Sequence, residues 1–109
     1  MNIEHFLPSS FWWDDLVSEK LLGETGFSII KTKQMSHIRI RQVEHSVNYL
    51  ADHWCDKGHV VIISEGELTI EHKDGSIHKL TKGMVYLVGD NSSSHQARSE
   101  KGAVVFIVD

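Results

Sequence analysis

From Gly26 onward the chain is a succession of short runs rich in β-branched residues, parted by turn signals every ~8–12 positions. That rhythm leaves few folds open. "FSIIKTK" and "HIRIRQV" open the series, the second alternating Ile38 and Ile40 with Arg39 and Arg41. "GHVVIIS" is an apolar run that ends at "EGE", read as a turn. "ELTIEH" then runs to "KDGS", whose Asp74-Gly75 pair is the strongest hairpin cue in the chain. "SIHKLT", "GMVYLV", "HQARS" and "GAVVFIV" bring the expected strands to about eight. The single proline, Pro8, precedes them all, so none is interrupted. The pattern by itself predicts an all-β sandwich or small barrel.

The first 22 residues differ. In "SSFWWDDLVSEKLLG", Trp12 and Leu16, Trp13 and Val17, and Val17 and Leu21 stand four apart. Ser10 as cap and Gly23 as stop would frame a short helix, while the adjacent tryptophans equally suit an extended arm lying on a sheet. The expected organisation is an N-terminal arm, residues 1–22, packing on one barrel domain, residues 23–109. At 109 residues the chain is long enough to close one core without staples.

Composition narrows the partners. A net charge of -4 and scattered basic residues argue against nucleic acid, whose phosphates need a basic face. No run approaches the ~18 apolar residues of a membrane span. "MNIEHFLPSS" lacks the basic start and apolar stretch of a signal peptide, and one cysteine suits a reducing compartment. A cytoplasmic protein is expected, with neither membrane nor nucleic acid as partner.

The densest chemistry lies in "DHWCDKGH", residues 52–59. Residues two apart in a strand share a face, so His53 and Cys55 would point together. His59 would return to that surface after "DKG", and His95 opens a later strand. Imidazole and thiolate are good donors for zinc and the later first-row metals. Against this, eight histidines make some clustering expected by chance, and a lone cysteine often fills core space. His-x-Cys-x3-His matches no zinc-finger spacing. Spacing alone leaves both readings open.

Residues 49–68, "YLADHWCDKGHVVIISEGEL", resemble the first cupin motif: His-x-His, a Glu, and then, after six residues, a Gly. With Gly66 as the closing Gly, His59 takes the Glu position, Cys55 that of the second His and His53 that of the first. "GMVYLVGDNSSSHQ" resembles the second motif, with Gly83 and His95 in place, though Gly89 replaces its Pro and the His sits one residue late. The whole chain is similar to small single-domain cupins marked by a "DHCW" motif, through "GETG" (Gly23 to Gly26), Tyr49 to Cys55, Lys57 to His59 and Phe106 to Asp109.

The resemblance implies a cupin-type double-stranded β-helix, or jelly-roll barrel, holding one divalent transition metal per chain on His53, Cys55, His59 and His95. Three histidines and a thiolate, against the family's three histidines and a carboxylate, make a softer set that favours zinc, with nickel or iron as alternatives. Four protein ligands would close a tetrahedron. The leading expectation is therefore a binding or sensing module for a small molecule. The alternative is a metal-dependent enzyme, Lewis-acid or oxygen-activating, acting on a small organic substrate. No Ser-His-Asp signature, phosphate loop or carboxylate pair assigns a catalytic residue.

Around the cluster, alternation sends Val61 and Ile63 inward with His59, and Val60 and Ile62 outward. A homodimer covering Trp54, Val60 and Ile62 is expected, with the Trp12/Trp13 segment as the other candidate cover. Ala97 follows His95 inward, while Gln96 and Arg98 face out. Arg39, Arg41, Tyr49 and Tyr86 are candidates for a pocket mouth receiving an anion, or are plain surface residues. His5, His37, His45, His72 and His78 are assigned to solvated or edge positions.

Overall fold

The computed structural model describes Ile3 and residues 5–109. Met1, Asn2 and Glu4, part of the expected arm, lie outside the described residues. The strands are β1 (Glu19–Leu22), β2 (Phe27–Met35), β3 (Ile38–His45), β4 (Tyr49–Leu50), β5 (His59–His72), β6 (Ile77–Thr81), β7 (Val85–Val88), β8 (His95–Ser99) and β9 (Ala103–Val108). All pairings are antiparallel. One sheet runs β1-β2-β3-β9-β5-β7, the other β4-β8-β5-β6, and the long β5 belongs to both. The result is the jelly-roll barrel expected from the sequence.

The expected turn at "EGE" does not form. Instead β5 runs through it, with a register shift between Ile63 and Glu65 against β9. Such a bulge bends a strand and raises its twist, which carries β5 from one sheet into the other. Gly66 makes the bend feasible: its φ is 77°, and a Cβ there would lie 2.1 Å from the Gly102 carbonyl oxygen. The Asp74-Gly75 hairpin forms between β5 and β6, with Gly75 at φ 90° and Asp74 Oδ1 accepting from the Ser76 backbone N–H at 2.8 Å.

The helix framed by Ser10 and Gly23 is also absent. Only a 3-10 turn, Trp13–Asp15, forms, and Glu19–Leu22 pairs with β2, Glu19 opposite Ile30. The unpaired backbone edge of β2 outweighs a weak helical spacing. Trp13 lies on Phe106 of β9, ring centroids 5.7 Å apart.

The core follows the alternation. Val43, Val61, Ile63, Leu68, Ile70, Leu80, Ala103 and Val105 are buried together, Ile63 and Val105 with no appreciable exposure. Tyr86, a candidate for the pocket mouth or the surface, and His45 and His72, assigned to solvated or edge positions, are inside as well: they are 4%, 8% and 7% exposed. Each polar tip has a partner. Tyr86 Oη and His72 Nε2 are 2.7 Å apart, and His45 Nδ1 lies 2.8 Å from Ser28 Oγ. A polar side chain on an inward position is tolerated when it is hydrogen-bonded, which counting apolar residues does not register. His5 and His78 are exposed.

Candidate metal centre

The segment between β4 and β5 is a loop pinned by hydrogen bonds to distant residues. Cys55 and His95 form an isolated bridge, with the Cys55 N–H on the His95 carbonyl at 2.7 Å and the return bond at 3.0 Å. The Gly58 N–H donates to Asp90 Oδ1 at 2.6 Å, and the Asn91 N–H to the Asp56 carbonyl at 2.8 Å. These bonds bring a loop cysteine against the first residue of β8, beside the first residue of β5.

The donor atoms of Cys55, His59 and His95 all lie within 4.8 Å of one another. Cys55 Sγ is 3.5 Å from His59 Nε2, close to the ~3.5 Å edge of a tetrahedron with zinc–sulfur bonds of ~2.3 Å and zinc–nitrogen bonds of ~2.0 Å. The two rings are perpendicular, centroids 5.3 Å apart. His53, the fourth expected ligand, stands outside this group: its side chain is 71% exposed and its Nδ1 lies 2.7 Å from Asp52 Oδ1. The shared-face rule needs an extended strand, and residues 51–58 form none.

The protons on both imidazoles can be placed. His95 Nδ1 lies 3.0 Å from the Ser93 carbonyl, which only accepts, so Nδ1 carries the hydrogen and Nε2 holds a lone pair. That Nε2 is buried and has no hydrogen-bond partner. His59 Nδ1–H donates at 2.8 Å to Asp109 Oδ2. Burial opposes ionisation of Asp109, but hydrogen bonds and charge from Arg39, Arg41 and His59 outweigh it and hold the carboxyl at about 2. His59 Nε2 therefore also presents a lone pair toward the thiol. Burial keeps the His59 imidazole below its ordinary value despite the carboxylate's opposite pull. The Lys57 N–H donates to Cys55 Sγ at 3.4 Å and helps fix the position of the sulfur.

A second layer orients these donors. Asp109, its side chain 1% exposed, also accepts from Arg39 Nε at 2.9 Å and Arg41 Nη2 at 2.8 Å. Behind His95, Ser93 Oγ lies 2.7 Å from Nδ1 of His72, which Tyr86 holds from the other side. A metal-ligating histidine characteristically gives its second N–H to a carboxylate or carbonyl, and both do so here. Asp109 as the partner of His59 was missed from the sequence. Its signal was the inward alternation Val105, Ile107, Asp109.

The three donors open onto a cavity of about 690 Å³ inside the barrel, bordered also by Arg39, Arg41, Tyr49, His45 and the apolar residues Ile30, Val43 and Ile70. His53 and Asp52 border it as well. The arrangement suits a soft divalent metal with room beside it for a ligand. Among the described residues, no helix is long and apolar enough to cross a membrane.

No protein-family profile matches the chain, and no curated protein is similar to it. Solved structures are. An RmlC-like cupin from Shewanella frigidimarina NCIMB 400 superposes with a TM-score of 0.75 at 20% identity, over 97% of this chain and 89% of that one. Ectoine synthase from P. lautus gives 0.71 at 17% identity, over 99% and 76%. A cupin-like protein from Thermotoga maritima MSB8 gives 0.65 at 18% identity, over 77% and 68%. With the curled antiparallel sheets described above, these likenesses make the fold of this chain the cupin β-barrel.

Proposed function

We propose that the protein binds one divalent transition metal per chain on Cys55, His59 and His95, and receives a small molecule in the cavity beside it. The observation that carries this reading is His95 Nε2, a buried lone pair with no partner, aimed into the same space as a thiol and a second imidazole lone pair. An unpaired buried acceptor costs ~1–3 kcal/mol, a cost that a bound metal would remove. One thiolate and two imidazoles favour zinc, with nickel or iron as alternatives. Three protein donors leave a coordination position toward the cavity, where a bound metal would supply Lewis acidity. That open position supports the enzyme alternative more than a closed set with His53 would. In the same reading two copies pair through the outward face of β5 and β7, where Ile62, Val85 and Leu87 are 40%, 52% and 70% exposed.

Metal analysis of protein prepared without a His tag or added metal tests the site. One equivalent per chain is expected, and a chelator should lower the melting temperature, because binding to the folded state stabilises it. Well under half an equivalent of any transition metal, with melting indifferent to chelator, refutes the reading.

A further inference from the structure

The inward face of β3 is graded along its length. Arg39, Arg41, Val43 and His45 all border the cavity, spaced about 6.6 Å per alternate residue. Backbone bonds set Arg39 level with Asp109, and so beside His59. Arg41 lies opposite Ile107, Val43 opposite Val105 and His45 opposite Ala103. The cavity therefore has a cationic end at the three donor residues, an apolar middle, and a polar far end.

Carboxylates do not match the guanidiniums at the cationic end. One carboxylate, Asp109, serves two guanidiniums and does not itself border the cavity. Asp52, which also borders the cavity, is 59% exposed and is engaged by His53. Arg41 bonds Asp109 through Nη2 only, and its side chain, 18% exposed, borders the cavity. A guanidinium with donors unspent, held rigid by a buried carboxylate, is pre-organised for a planar anion.

We propose that this cavity binds a small organic carboxylate, its head on Arg41 beside the donor cluster and its apolar body along Val43, Ile30 and Ile70. The proposal rests on the metal reading only for the added pull of a metal on the same carboxylate; Arg41 belongs to the chain in either state. An apolar body is required because the wall beyond Arg41 offers no polar partner until His45. An inorganic anion would leave that middle section unfilled.

Calorimetric titration with benzoate, its neutral isostere benzamide, and inorganic phosphate separates these terms. It should be run on zinc-loaded and metal-stripped wild type and on Arg41→Gln. We expect benzoate to bind at least tenfold more tightly than benzamide or phosphate. The preference over benzamide should persist in the stripped wild type and vanish in stripped Arg41→Gln. Equal binding of benzoate and benzamide overturns the proposal, as does phosphate matching benzoate, or a preference that survives in stripped Arg41→Gln. Should that variant fail to fold, the benzoate–benzamide comparison on stripped wild type decides alone. Zinc content on the same samples keeps the two readings apart. No zinc uptake with the preference intact sinks the metal site and supports the carboxylate site; full uptake without preference does the reverse.

Discussion

His45 should make this protein lose stability as the pH falls below neutrality. Its ring is 8% exposed, stacked on Tyr49 at 4.2 Å between centroids, with Nδ1 against Ser28 Oγ. Burial lowers its pKa from 6.5 to about 4, so the folded chain holds it neutral where the unfolded chain would protonate it. Between those values the unfolded state binds more protons, so stability rises with pH. The contribution is fully present above about 6.5 and gone once the pH falls to about 4. The separation sets a ceiling of about 3 kcal/mol, reached at up to ~1.4 kcal/mol per pH unit. Between pH 7.5 and 5 about 2 kcal/mol should be lost through this residue. Urea unfolding across that range, with chelator present, should show it as a difference between wild type and His45→Gln, whose amide can still meet Ser28. His59 and His72, also lowered chiefly by burial, are present in both proteins and drop out of the difference. Parallel pH profiles for the two proteins would refute the reasoning.

Cys55→Ser should weaken metal binding at least tenfold, whereas His53→Ala should change it by less than threefold. The Cys55 thiol should resist alkylation in loaded protein and react after chelation, whereas a thiol equally inert in both states would mean that it is no ligand. Asp109→Asn removes the charge that joins Arg39, Arg41 and His59, and should cost about 3–5 kcal/mol in urea unfolding. It should also lower zinc affinity about 10–100-fold in a competition assay, and unchanged values would deny Asp109 its orienting role. Light scattering at micromolar concentration should give twice the 12.4 kDa chain mass, falling to one chain in Leu87→Lys. A monomeric wild type would refute the pairing.

The all-β architecture was legible in the sequence because period-2 alternation and turn residues are local signals. The Asp74-Gly75 hairpin, the inward side chains of Val61, Ile63 and His95, and most strand positions follow from residues within a few positions of one another. Cys55, His59 and His95 were legible as donors from the residue types and the cupin-like spacing. Their convergence was expected as well, but the contacts that secure it were not legible, because they are a non-local bridge from Cys55 to His95 and loop bonds from Asp90. The same loop left His53 at the surface, since side-chain direction in an irregular segment has no fixed period. β5 crossing between sheets, Glu19–Leu22 pairing with β2, and the burial of His45 and His72 likewise required tertiary partners. Whether a glycine turns a strand back or bends it through, and whether an imidazole is wetted or enclosed, is decided by what lies opposite. In this barrel the opposing residue usually comes from a distant part of the chain.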